Sequence, residues 1–128
     1  MSGKRTRRPA KDGDKPMPVP LVWRSTLRAI VADLVAGRFA PSVEGVDIRF
    51  TRASRAQVRG YLKSYGDKLV DLPKETWKTS EVYWMDSFWE CYVDLWTEKE
   101  GHSDMVMHVQ VTEDGEKYRF EVTSVYVP

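Results

Sequence analysis

The chain has 128 residues, with 20 Lys/Arg against 19 Asp/Glu, 41% hydrophobic and 30% charged residues. That length suits one domain with a real core, and the balance excludes a wholly disordered chain. No apolar run approaches the roughly 20 residues of a spanning helix, and the one cysteine, Cys91, allows neither an internal disulfide nor a Cys-based zinc site. A cytoplasmic protein without a membrane segment, cofactor or metal is expected.

The near-neutral total hides a division. Residues 1–15 carry six basic and two acidic side chains, residues 24–63 eight and three, and residues 81–121 three and eleven. Oppositely charged surfaces on one small body follow, which bears on partner choice more than on fold. Residues 1–19, rich in Lys, Arg, Gly, Asp and Pro, are expected as a flexible basic tail, and residues 20–128 as a single α+β domain.

The first helix is predicted from Pro20, a good first-turn residue because its missing N–H would be unpaired there anyway. Trp23, Leu27, Ile30, Val31 and Leu34 share one helical face, and Gly37 is the natural stop. A short strand is possible at Val46–Phe50. Thr51 or Ser54 can cap a second helix carrying Val58, Tyr61, Leu62 and Tyr65, ended by Gly66. Leu69, Val70 and Leu72 then plug the core before Pro73.

From Val82 the period becomes two. Trp89, Cys91, Val93 and Leu95 point one way, and Glu90, Tyr92, Asp94 and Trp96 the other. In the next run Met105, Met107, Val109 and Val111 are inward and His108 and Gln110 outward. Asp114-Gly115 is a strong hairpin signal. A two-residue loop there pairs Val111 with Tyr118, Val109 with Phe120, Met107 with Val122, and His108 with Glu121. The upstream strand, paired across a 98–104 loop, brings Asp94 near His108, and 82–86 can add a fourth strand. The expected fold is α+β: two N-terminal helices packed on one face of a three- to four-stranded antiparallel meander.

Four groups are candidate sites. The outward row Asp94, His108 and Glu121 could favour a protonated imidazole, or be a solvated charge ladder. The 98–104 loop holds Glu98, Glu100, His102 and Asp104, but its spacing fits no EF-hand, and a Gly101-centred turn explains it as well. Trp84, Tyr92 and Trp96, interleaved with Asp86, Glu90 and Asp94, form an acidic aromatic face suited to a protein partner or a second subunit. Arg52, Arg55 and Arg59 share one helix face and could grip phosphates or an acidic partner. No nucleophile, base and oxyanion-hole constellation is visible.

Tyr65-Gly66, Leu72-Pro73, Leu95-Trp96-Thr97 and Glu100-Gly101-His102-Ser103-Asp104 together resemble a small bacterial domain family of unknown function. That family has a helix ending in Tyr-Gly, a Leu-Pro plug, a Leu-Trp-Thr strand and a Glu-Gly-x-Ser-Asp turn. The resemblance covers about residues 20 to 128 and implies the order of elements without an activity. His102 stands where that turn has an arginine, so the resemblance gives its imidazole no special role.

The expected function is a non-enzymatic protein-binding module, of inhibitor, immunity or adaptor type, using the face of Trp84, Tyr92, Asp94, Trp96, His108 and Glu121. One alternative is a small-ligand-binding or hydrolytic domain with a helix–sheet pocket near His108. Another is nucleic-acid binding through the basic tail and Arg52, Arg55 and Arg59, which the acidic aromatic face does not favour. The expected partner is a protein or a second copy of the chain.

Overall fold

The computed structural model describes residues 9–13 and 15–128. The predicted α+β class holds, with two helices and a larger sheet than expected. In chain order the elements are β1 (Met17–Pro18), α1 (Leu21–Val35), β2 (Asp47–Phe50), α2 (Arg52–Ser64), a 3-10 helix (Lys74–Lys78), β3 (Glu81–Trp84), β4 (Trp89–Thr97), β5 (Gly101–Asp114) and β6 (Lys117–Tyr126). The strands form one six-stranded sheet in the order β1-β3-β4-β5-β6-β2. The central four are the expected antiparallel meander. β2 adds in parallel beside β6, placing Ile48 opposite Phe120, so the sheet is mixed.

Both helices form where local chemistry puts them. Pro20 precedes the first turn of α1, whose stripe Trp23, Leu27, Ile30, Val31 and Leu34 is buried. Thr51 accepts the Ser54 N–H while Ser54 Oγ accepts the Thr51 N–H, a reciprocal cap that starts α2. α2 buries less of itself, chiefly Val58. Inward residues of β4, β5 and β6 complete one core with the helices. At its centre Trp23 is edge-on to Trp89, with ring centroids 5.4 Å apart.

The described part of the expected tail carries packed contacts. Met17 pairs with Val82 in the sheet, Val19 is buried, and the Trp89 indole N–H donates to the Ala10 carbonyl at 3.0 Å. Lys11 lies 5.1 Å from the Trp84 ring centroid and 2.9 Å from Glu113. Residues 1–8 and 14 lie outside the described residues.

Two registers differ from expectation. Asp114 pairs with Lys117, so Gly115 takes the first loop position, with φ +66°. Glycine at that position suits a type II′ turn, where the expected two-residue loop was Asp114-Gly115. The pairing thus slides by two residues, which keeps every side chain on its face: Val111 meets Phe120 and Val109 meets Val122. A bulge then brings Ser124, not Glu121, opposite His108.

β5 also begins earlier than expected, at Gly101, leaving a tight turn over 98–100 instead of a 98–104 loop. A second bulge opposite Leu95 buries both Ser103 and Met105. The Ser103 hydroxyl donates to the Leu95 carbonyl at 2.7 Å and accepts the Met105 N–H at 3.1 Å, satisfying backbone groups the bulge takes out of the ladder.

Candidate functional site

The sheet has two unlike faces. Period-two alternation sends Cys91, Val93 and Leu95 of β4 into the helix-covered core and leaves Glu90, Tyr92, Asp94 and Trp96 half-buried on the other side. There β3 contributes Glu81 and Tyr83, β5 contributes Val106 and His108, and β6 ends in Tyr126. Across these strands runs a groove of about 530 Å³ lined by Glu81, Tyr83, Glu90, Tyr92, Asp94 and Tyr126 together with Thr79, Met85, Val106 and Pro128. Three carboxylates and three phenol rings thus converge on it, and among the described residues no Lys, Arg or His lines it.

The phenols are tied to the carboxylates. Tyr92 donates to Glu90 at 2.7 Å and Tyr83 to Glu81 at 3.1 Å. The two tyrosine rings meet nearly at right angles, 82°, with centroids 5.8 Å apart. Burial, and then the bond to Glu90, pushes the Tyr92 phenol well above its ordinary range. Asp94 accepts from Thr79 Oγ1 and lies 3.3 Å from His102 Nε2, and the His102 ring stacks on Trp96 at 5.1 Å.

The Asp94, His108 and Glu121 row does not assemble. Asp94 faces Val106 and reaches His102, while Glu121 faces Gln110 and lies beside Arg49 of β2. His108 sits opposite Tyr92, stacks on its ring at 4.8 Å, and has Glu90 Oε2 3.9 Å from its Nε2. Thr123 Oγ1 donates to the His108 carbonyl at 3.0 Å, so it accepts from His108 Nδ1–H, which assigns the lone pair to Nε2. His108 is therefore on the helix-free face, not in a helix–sheet pocket.

Trp84 also changes sides. It shares its phase with buried Val82, and its ring lies 4.7 Å from that of Trp89, so it belongs to the helix-covered face. Tyr83 takes its place on the open side, and Tyr126 joins from β6. The alternation Glu81-x-Tyr83-x-Met85 could have found Tyr83, but Tyr126 enters the groove only through a bulge that no spacing announces.

The turn after β4 is held structurally. The Asp67 carboxylate accepts the backbone N–H groups of Lys68 at 2.9 Å, Lys99 at 3.1 Å and Glu100 at 3.0 Å. Burial works against its charge, but these bonds and one from Thr97 outweigh it and hold its pKa low. Glu100 is engaged by the Tyr65 hydroxyl at 2.6 Å. Among the described residues no group of three or more His, Cys, Asp or Glu side chains is placed to hold a metal ion.

The arginines of α2 are spent largely on packing. Arg55 donates to the Phe39 carbonyl at 3.0 Å and lies 5.4 Å from the Phe50 centroid, and Arg59 lies 4.8 Å from that of Phe39. Arg52 is exposed. Among the described residues no helix is long and apolar enough to cross a membrane.

A family model described as a domain of unknown function, DUF7668, matches residues 31–128. No curated protein and no solved structure matches the chain.

Proposed function

The chain belongs to the DUF7668 family, a domain of unknown function, and from that premise we propose that it is a non-enzymatic protein-binding module. The observation that carries this reading is the groove on the helix-free face, lined by Tyr83, Tyr92 and Tyr126. A sheet face with rings at its centre and charges around it has the make-up of an interface, since tyrosine supplies large contact area at little entropic cost. Met85, 44% exposed beside those rings, adds an adaptable apolar contact. Inhibitor, immunity-type and adaptor proteins are the classes such a module serves, an analogy of architecture.

The arrangement favours binding over catalysis. His108 Nε2 is buried under the Tyr92 stack, and His108 is not among the residues lining the groove, so its imidazole is poorly placed to meet a substrate. Binding to nucleic acid has weaker support, because two of the three α2 arginines pack on phenylalanines and the groove is acidic.

Affinity capture from the native host, comparing the full chain with a folded Tyr83→Ser/Met85→Ser variant, tests the reading. Proteins retained by the wild type and lost from the variant are expected. The same proteins retained by both, or none retained by either, contradicts it.

A further inference from the structure

The lining of the groove also specifies the chemistry of its occupant. We infer that the groove receives a lysine or arginine side chain presented by a basic segment of a partner protein, an assignment that rests on the binding-module reading above.

Charge complementarity is the first argument. Glu81, Glu90 and Asp94 come from adjacent strands, since Glu81 pairs with Tyr92 and Tyr83 with Glu90 across the β3–β4 ladder. Among the described residues, no cationic side chain in the lining offsets them. Burial lowers the pKa of His108, and His102, 3.3 Å from Asp94, lies outside the lining. An anionic or neutral occupant would leave these like charges along the groove uncompensated, whereas a cation offsets their repulsion.

The rings give the second argument. Tyr83 and Tyr92 pack edge to face, with centroids 5.8 Å apart and planes at 82°, so they form one aromatic surface over whose ring faces an alkylammonium or guanidinium can sit. Each phenol donates to a carboxylate, Tyr83 to Glu81 and Tyr92 to Glu90, and these bonds fix the acids beside the rings before any ligand arrives. The apolar part of the lining, Met85 and Val106, suits the methylene stem of a long basic side chain. A volume of about 530 Å³ lies within the roughly 300–1,000 Å³ of ordinary ligand pockets, enough for more than one such side chain.

The test titrates the full chain at low ionic strength with three fluorescein-labelled peptides: alternating lysine–glycine, arginine–glycine and glutamine–glycine. Anisotropy gives affinity, and amide chemical shifts locate the contact. The two basic peptides are expected to bind, with shifts centred on Tyr83, Glu90, Tyr92 and Tyr126 and with affinity falling as salt rises. Tyr83→Leu is expected to weaken binding by roughly 2- to 30-fold, the range of a cation–π contact. Glu81→Gln, at an exposed position on β3, keeps the shape and is also expected to weaken it.

Equal binding of the glutamine peptide, shifts centred elsewhere, or full affinity in both variants would overturn the assignment. A sedimentation coefficient that rises with protein concentration and stops rising in Glu81→Gln would give the groove to a second copy of the chain, and also overturns it. These failures would leave the binding-module reading standing, because capture by the Tyr83→Ser/Met85→Ser variant decides that reading separately.

Discussion

The Tyr92 ring lies over the His108 imidazole, with centroids 4.8 Å apart and planes 27° from parallel. The stack buries a histidine whose Nε2 has no hydrogen-bond partner among the described residues, with Glu90 Oε2 3.9 Å away. Burial lowers the imidazole pKa from its ordinary 6.5, and the Glu90 charge only partly opposes that.

Stability is therefore expected to fall as pH drops below 6.5. Between that value and the lowered folded pKa the unfolded chain binds more protons, so stability rises with pH in this window and levels off below it. Urea denaturation at pH values on either side of the window should show a larger loss for the wild type than for His108→Gln. Identical losses in the two proteins would mean the imidazole is not buried in its neutral form.

Gln57 does for Val125 what a neighbouring strand would do. Its amide donates to the Val125 carbonyl at 2.7 Å and accepts the Val125 N–H at 3.0 Å, just beyond the point where pairing of β2 with β6 stops. Gln57→Ala removes both bonds and is expected to destabilise the fold by about 1–3 kcal/mol. Amide exchange at Val125 should accelerate selectively, whereas a uniform change along β6 would argue against a local role.

Asp67→Ala should loosen the turn between β4 and β5. Three backbone N–H groups lose their acceptor, and exchange at Lys99 and Glu100 should rise while exchange in α1 stays unchanged. Because the carboxyl pKa is held below its ordinary 3.8, its contribution is present above that value and lost as pH falls through the folded one. The variant should accordingly show a weaker acid dependence than the wild type.

Cys91 is fully buried, and burial alone raises its thiol pKa far above the ordinary range. A thiol reagent such as Ellman's is expected to leave the native protein unmodified and to titrate one thiol per chain in denaturant. Rapid labelling of the native protein would show that β4 opens far more readily than this packing implies.

Much of the fold was legible because its signals are local. Pro20, Thr51, Ser54 and the 3.6-residue stripe of α1 specify helices without reference to anything distant. The alternation in β4 likewise separated Leu95 from Trp96 correctly. Hidden features depended on remote partners. β2 pairs in parallel with a strand far along the chain, and a parallel edge has no turn to announce it.

The hairpin register illustrates a subtler limit. Alternation constrains a register only to multiples of two, so Val111 could meet Tyr118 or Phe120 with every side chain still correctly faced, and the position of Gly115 in the turn decided between them. That slide, with the Thr123 bulge, separated His108 from Glu121 and brought Tyr126 to the groove. Trp84 was misplaced for a simpler reason. Aromatic neighbours at 83 and 84 fit either phase until Val82 is known to be buried.

The most direct test of the binding face is hydroxyl-radical footprinting of the full chain, alone and with a captured partner. The account predicts that oxidation of Met85, 44% exposed, and of Tyr83 and Tyr126 falls on complex formation, while Leu21, 77% exposed on α1, stays as reactive as in the free protein. Protection of Leu21 and the α1 surface with no change at Met85, Tyr83 or Tyr126 would contradict it and move the interface to the helical side of the molecule.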